Sequence, residues 1–293
     1  MVKPREEFER LGREDLREGL PRRRIDLHGG RPHRPVSCHA GVAGPFDLAG
    51  KRALVTGGSR GIGRAIAFAL ADAGADVAIT SRKGDDAEPV AREIRAKGRR
   101  SLALLLEVRN GPSIRVCFDR LGREWGSLDI LINNAGTNIP TDLESLDESS
   151  WDTVVDTDLK GVAFVTQAAL PLLSDGGRIV NVASIYGVLG RVERVAYSAA
   201  KGGVVVLTKS LALELAPRGI TVNAVGPSLV ETDLTRERMR RDPTFREHEV
   251  ARTPLGRLAT PADVAAAVVY FASTEAGFVT GQLLLVDGGT GAQ

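Results

Sequence analysis

The sequence predicts an α/β protein with a doubly wound parallel sheet and helices on both faces. Three observations carry this. From Phe46 onwards, short β-branched or aliphatic runs alternate with helical stretches, as in successive βαβ units. The runs are apolar throughout, as strands covered on both faces must be. The first run leads straight into a glycine-rich turn that opens a helix, and right-handed crossovers then complete the winding.

In chain order, strands are expected at 52–56, 76–80, 101–107, 128–133, 178–184, 221–225 and 282–286. Helices are expected near 61–73, 85–97, 111–124, 149–173, 195–216 and 261–272. No internal repeat is present. The 293 residues, 43% of them apolar, suffice to bury a large core. A net charge of +2 speaks against a polyanion partner, so no nucleic-acid binding is expected. No apolar run reaches membrane-spanning length. Two cysteines, Cys38 and Cys117, cannot form a disulfide framework, which fits a reducing, cytoplasmic setting.

Residues 1–45 read differently. They carry 10 basic and 7 acidic residues and three of the four histidines. Their Pro, Gly and Arg content argues for a disordered or weakly structured tail, followed by one domain over 46–293. The tail lacks the apolar core of a secretory signal. Its His28, His33, His39 and Cys38 match no zinc spacing, and no metal site is expected.

The first strand ends in Thr56-Gly57-Gly58-Ser59-Arg60-Gly61-Ile62-Gly63. Glycines at this spacing allow a tight turn, close backbone approach to a pyrophosphate, and close helix–strand packing. The amides and dipole of the helix start then hold phosphate. An acidic residue after the second strand would select NAD. Here Ser81-Arg82-Lys83 stands instead, with Arg60 aimed at the same neighbourhood. Guanidinium forks match phosphate oxygens, so NADP(H) is the expected cofactor, with NAD(H) as the lesser alternative.

Two further signals fall at the carboxyl ends of strands, where open α/β sheets bind ligands. One is Asn133-Asn134-Ala135-Gly136. The other is Ser184, followed by Tyr197-Ser198-Ala199-Ala200-Lys201. Tyr197 and Lys201 are four apart on an expected helix and share a face.

With a terminal Asp287-Gly288-Gly289, these motifs resemble the short-chain dehydrogenase/reductase family over about residues 46–290. The resemblance implies a seven-stranded Rossmann-type fold, a nicotinamide cofactor, reversible hydride transfer between carbonyl and alcohol, and a homotetramer. It makes Ser184, Tyr197 and Lys201 catalytic. Its cofactor contacts would come from Gly57, Ser59, Arg60, Gly61, Ile62 and Gly63 in the turn, and from Ser81 and Arg82 after the second strand. Glu107 and Val108 would follow the third strand and Asn134, Ala135 and Gly136 the fourth, with Tyr197 and Lys201 at the ribose. Pro227, Ser228, Val230 and Thr232 would lie beside the carboxamide. Tyrosine, at pKa ~10, is a poor base at neutral pH. A neighbouring ammonium favours its phenolate, and a shift of ~3 units corresponds to roughly 4 kcal/mol. Tyr197 is then the acid/base, Lys201 tunes it, and Ser184 donates to the reacting oxygen.

Three departures from the family pattern stand out. Asp158 replaces an asparagine in Trp151-Asp152-Thr153-Val154-Val155-Asp156-Thr157-Asp158-Leu159-Lys160-Gly161. Its charge near Lys201 would raise the Tyr197 pKa. Glu107 replaces an aspartate at the adenine edge. Ser228 replaces a glycine, which costs something if that position needs φ > 0. In the family, the Arg-rich stretch at about 229–256 is a lid over a small carbonyl or alcohol substrate. Its charges read mainly as a solvated face, while Asn138, Arg191, Glu193 and Arg194 lie nearer the expected pocket. The opening Phe46–Lys51 and the Asn133–Asn138 string are most similar to gluconate 5-dehydrogenase-like and glucose dehydrogenase-like members, pointing to a sugar, sugar acid or other polyol or ketone. The helix at 195–216 is equally similar to 3-oxoacyl-carrier-protein reductases. A reading of another class is a member that binds dinucleotide as a scaffold or sensor with impaired catalysis.

Overall fold

A computed structural model describes residues 44–293. Most of the tail expected at 1–45, with its three histidines and Cys38, therefore lies outside the described residues. Seven strands form one sheet in the order β3-β2-β1-β4-β5-β6-β7, and every neighbouring pair is parallel. They are β1 (Arg52–Val55), β2 (Asp76–Ser81), β3 (Ser101–Leu105), β4 (Leu128–Asn133), β5 (Leu173–Val182), β6 (Thr221–Pro227) and β7 (Leu283–Val286). The direction of winding reverses between β1 and β4, so the crevice for a ligand opens at their carboxyl ends.

Helices alternate with the strands. They are α1 (Gly61–Asp72), α2 (Glu88–Ala96), α3 (Gly111–Trp125), α4 (Glu148–Val155), α5 (Gly161–Ala169), α6 (Val195–Leu215), α7 (Asp233–Arg241), α8 (Pro243–Ala251) and α9 (Pro261–Ala272). Several starts are fixed locally. Asn110 accepts the Ser113 amide at 2.8 Å ahead of α3, and Asp147 accepts the Ser150 amide at 2.7 Å ahead of α4. Thr260 and Asp263 form a reciprocal capping box on α9, with Pro261 as its first residue.

Successive strand residues feed opposite faces, as the pleat requires. Ala53 and Val55 of β1, with Val77 and Ile79 of β2, pack under α1, α2 and α9. Leu54 and Ala78 point the other way, with Leu131 and Val222, under α3, α5 and α6. Between the faces runs a polar ladder. Asn133 of β4 donates to Asn181 Oδ1 of β5 and to Thr166 Oγ1, each at 2.9 Å. Asn181 donates to Thr208 Oγ1 of α6 at 2.9 Å, and Thr208 donates to the Val204 carbonyl at 2.7 Å.

Two expected boundaries differ. The single helix expected over 149–173 is three pieces: α4, a π-helical turn at Asp156–Lys160, and α5. It ends at Ala169 with Leu170 still helical in backbone, because Pro171 has no N–H to carry the hydrogen-bond ladder on. The fifth strand starts at Leu173, not at 178. Leu173 pairs with Leu128, and Arg178 then pairs with Ile130, so the Gly176-Gly177 segment bulges out of register between them. In the stretch at 229–256, α7 and α8 were not anticipated.

The ladder gives the first prediction. Asn181→Ala removes one acceptor and one donor from buried partners, and each unmade bond there costs roughly 1–3 kcal/mol. Chemical denaturation should show a loss of about 3 kcal/mol, whereas the exposed Asn138→Ala should change little.

Candidate functional site

Three groups of residues meet at the carboxyl edge of β1, β4, β5 and β6. The first is the glycine turn. Gly57 and Gly61 take φ of 64° and 55°, where a side chain is strained. A Cβ at Gly63 would stand 2.3 Å from the Gly57 carbonyl oxygen, so only glycine lets α1 approach the turn. Arg60, at the start of α1, offers no capping side chain, and the first-turn amides face the crevice mouth. Thr56, which the sequence reading did not single out as a site residue, ties this turn to the neighbouring loop. Its Oγ1 accepts the amides of Asn134 at 2.9 Å and Ala135 at 3.0 Å, and Asn134 Nδ2 donates to the Thr56 and Gly57 carbonyls.

These features fit a dinucleotide. The cradle is open backbone held close to a helix start, and a Cβ at its glycines would close it. Ile62 packs back onto the core, with Ser59 half-buried above the turn. Ser81 closes β2, buried, with its hydroxyl donating to the Lys83 carbonyl. Arg60, Arg82 and Lys83 are exposed, and none has an ion-pair partner among the described residues, so their charges are free for an anion. Glu107 lies beyond the end of β3. Its Oε1 accepts from the Arg109 amide and Nε at 3.1 and 3.4 Å, so the carboxylate is turned to Arg109. Val108 is buried against Gly161.

The second group is Ser184, Tyr197, Lys201 and Asp158. Ser184 follows β5 and is 5% exposed; its Oγ accepts the Tyr186 amide at 3.1 Å. Tyr197 and Lys201 share one face of α6, with Lys201 Nζ 5.7 Å from the phenol ring centre. Lys201 Nζ donates to the Val182 carbonyl at 2.9 Å and stands 3.1 Å from Asp158 Oδ2. Asp158 Oδ1 accepts the Thr137 amide at 2.7 Å. Gly136 passes so close that a Cβ there would lie 3.0 Å from Asp158 Oδ2. The Val182 carbonyl and Thr137 amide carry no sequence signal, because any residue supplies them.

Burial strongly favours the neutral phenol and pushes the Tyr197 pKa up. Lys201 opposes this, Asp158 reinforces it, and a hydrogen bond from Ser184 lowers it; the net direction is up. Burial pulls Lys201 down, but the charges of Asp158 and Tyr197 more than offset it, and its pKa ends raised. Burial pushes the Asp158 carboxyl up, against the pull of Lys201.

The third group follows β6. Pro227 is its last residue, and the Ser228 amide donates to the Val286 carbonyl at 3.2 Å. The cost expected for Ser228 does not arise, since only Phe46 and Glu193 among described non-glycine residues take positive φ. Val230 is bridged to Ala259. Thr232 reaches over the glycine turn: a Cβ at Gly61 would lie 3.5 Å from its Cγ2. Of the polar candidates on the rim, Asn138 and Glu193 are exposed. Arg194 Nη1 donates to the Glu193 carbonyl at 2.7 Å. Arg191 is paired at 2.7 Å with Glu249 of α8, a partner 58 residues away that no motif marks.

A doubly wound sheet carrying this turn and this Ser–Tyr–Lys set defines a class, the nucleotide-dependent oxidoreductases acting on CH–OH and carbonyl groups. A family model described as enoyl-(acyl carrier protein) reductase matches residues 57–291, and the chain belongs to the short-chain dehydrogenase/reductase family. It is 41% identical over 242 residues to a 3-oxoacyl-[acyl-carrier-protein] reductase of Staphylococcus aureus, covering 82% of this chain and 97% of that protein. A Vibrio harveyi protein of the same name is 39% identical over 245 residues, with 83% and 98% covered. Among solved structures, a putative short-chain alcohol dehydrogenase from Sinorhizobium meliloti superposes with TM-score 0.81 at 38% identity, covering 85% of this chain and 99% of that one. A gluconate 5-dehydrogenase from Burkholderia cenocepacia, solved with NADP and tartrate, gives 0.80 at 34% identity, with 85% and 98% covered. Among the described residues, no helix is long and apolar enough to cross a membrane.

The charge balance predicts a pH effect. If Tyr197 takes the proton of an alcohol, it must do so as the phenolate, whose formation is disfavoured here, so alcohol oxidation should run best at alkaline pH. Asp158→Asn removes the charge that offsets Lys201 and lowers the Tyr197 pKa. The rising limb of kcat/KM against pH should therefore move to lower pH, as read by nicotinamide absorbance; an unmoved limb would remove Asp158 from this role.

Proposed function

We propose that this chain is an NADP(H)-dependent oxidoreductase that interconverts a ketone and a secondary alcohol on a small polyhydroxylated substrate, a sugar, sugar acid or related polyol. The observation that carries the reading is the meeting of Ser184, Tyr197 and Lys201 beside the glycine turn. Bound at that turn, the nicotinamide cofactor supplies the hydride chemistry. Tyr197 moves the proton at the substrate oxygen, Ser184 donates a hydrogen bond to that oxygen, and Lys201 holds the phenol's electrostatics. Arg60 and Arg82 would face the 2′-phosphate. The segment at 229–256 would close over the substrate and exclude water.

The similarity to 3-oxoacyl-[acyl-carrier-protein] reductases favours a second reading, reduction of a 3-oxoacyl thioester. Acetoacetyl thioester and a panel of sugars, sugar acids and polyols, run with both cofactors, separate the two. The polyol reading expects turnover on the panel and little on the thioester. Tight NADPH binding without turnover on either would mark the scaffold class.

Two substitutions test the roles. Tyr197→Phe should lower kcat by roughly 10²–10⁴, the range for losing a general acid/base, while NADPH binding by fluorescence stays intact. Arg82→Ala should reduce kcat/KM with NADPH by roughly tenfold to a hundredfold, the worth of one charge-assisted hydrogen bond, and leave the NADH value unchanged. An equal loss with both cofactors would rule out 2′-phosphate recognition by Arg82.

A further inference from the structure

The segment from Glu231 to Arg252 is pinned at its ends and loose in its middle. At its root, Val230 and Ala259 are buried and bridge each other, and the Glu231 amide donates to the Ala259 carbonyl at 2.9 Å. At its exit, the buried Thr253 donates its hydroxyl to the Glu249 carbonyl at 2.9 Å. Between these anchors, none of the described residues from 235 to 252 is buried. Apolar burial therefore does little to hold α7 and α8 down, and such regions open at low cost. Their docking falls to polar contacts. Arg240 and Arg241 pair with Glu237, and Arg246 with Glu231. These pairs stiffen the segment without attaching it. The pair of Glu249 with Arg191 leaves the segment.

Arg191 stands on a base that is itself fixed. Its loop joins Ser184 to α6. At one end Ser184 Oγ accepts the Tyr186 amide at 3.1 Å. At the other the Thr141 amide donates to the Glu193 carbonyl at 3.2 Å, and Thr141 is bridged to Arg194. The Arg191 guanidinium carbon stands 5.8 Å from the centre of the Tyr186 ring, and its Nη2 donates to Glu249 Oε1 at 2.7 Å. The two side chains are 25% and 12% exposed, so salt and water screen them less than a surface pair. Among the described residues, Nη1 has no hydrogen-bond partner. A pair made through one nitrogen is weaker than the two-point fork that arginine can offer a carboxylate. We propose that the Arg191–Glu249 pair is a releasable latch: it docks α8 on the loop between Ser184 and Tyr197, and its opening lets the segment lift for substrate entry and product exit. Both are positioning residues, acting through the elements they join. The inference rests on the reading of 229–256 as a cover over the substrate, and it names what closes that cover.

The test is amide hydrogen exchange, read by mass spectrometry on the full chain, for wild type, Arg191→Met, Glu249→Gln and the double variant. Each single variant should raise the opening equilibrium of 235–251 by roughly tenfold, between the worth of an exposed ion pair and that of a buried charged hydrogen bond. Amides of β4 and β5 should keep their rates. The double variant should open no further than either single one, because both remove the same contact. Unchanged exchange in the segment, or effects that add in the double variant, would overturn the latch. Faster exchange throughout the sheet would show a pair that merely supports the fold, and would overturn it too. Kinetics on acetoacetyl thioester and the polyol panel supply a second readout. For a member that is turned over, each single variant should raise KM by the same factor at unchanged kcat, as expected when substrate and transition state lose the same closure. A fall in kcat at unchanged KM would place the pair in the chemistry and sink the proposal. The expected exchange pattern without turnover of any panel member would overturn the oxidoreductase reading and leave the latch standing.

Discussion

The geometry of the site depends on one buried ammonium. Lys201 Nζ joins α6 to the end of β5 through the Val182 carbonyl and to the π-helical turn through Asp158. Both side chains are about 95% or more removed from solvent. Two unit charges 3.1 Å apart attract by about 5 kcal/mol at an effective dielectric near 20. Removing each from water costs several kcal/mol. The two quantities nearly cancel, so the pair adds little to net stability. What it fixes is position: a cation in a dry place, held from two sides, with the phenol of Tyr197 above it. Removing one partner is costly because the other charge is then buried alone.

Asp158 reaches that cation because the helix is interrupted. The Gly161 amide donates to the Asp156 carbonyl, five residues back, and the widened turn carries Asp158 to full burial. Glycine suits the exit, since a Cβ at Gly161 would lie a tight 3.0 Å from the Val108 side chain. Such single wide turns occur frequently at functional sites. Apolar periodicity over 149–173 reads as one helix because the wide turn shifts the phase by a single residue, less than a pattern of scattered apolar positions resolves. The importance of Asp158 was legible only through the motif around Trp151 and Gly161. The Thr137 amide that orients its carboxylate was not legible at all.

The strands were legible because burial on both faces leaves uninterrupted apolar runs, and the doubly wound class because these runs alternate with helices and the first leads through a glycine turn into one. The glycine roles were legible for the same steric reason. What could not be read was register. The bulge between Leu173 and Arg178 depends on pairing with β4, a partner 45 residues away, and α7 and α8 lie in a stretch whose charges hide any apolar face. Some of those charges pair locally: Arg240 and Arg241 with Glu237, and Arg246 with Glu231. Glu249 instead pairs with Arg191, 58 residues away. Its partner is chosen by the fold, and no feature of the string marks it.

These charges set the protonation state of the buried phenol. In the free protein the positive charge that would favour a phenolate is already matched by Asp158, and burial favours the neutral phenol. Among the described residues, only the Lys201 ammonium and the Ser184 hydroxyl pull the other way. A phenolate at Tyr197 therefore becomes favourable when further positive charge enters the crevice or when the substrate supplies a bond that the empty site lacks. An asparagine at 158 would leave Lys201 uncompensated and the phenol more acidic at all times. The aspartate instead adds to the burial that keeps the phenol neutral, through one buried carboxylate and a turn that is one residue too wide.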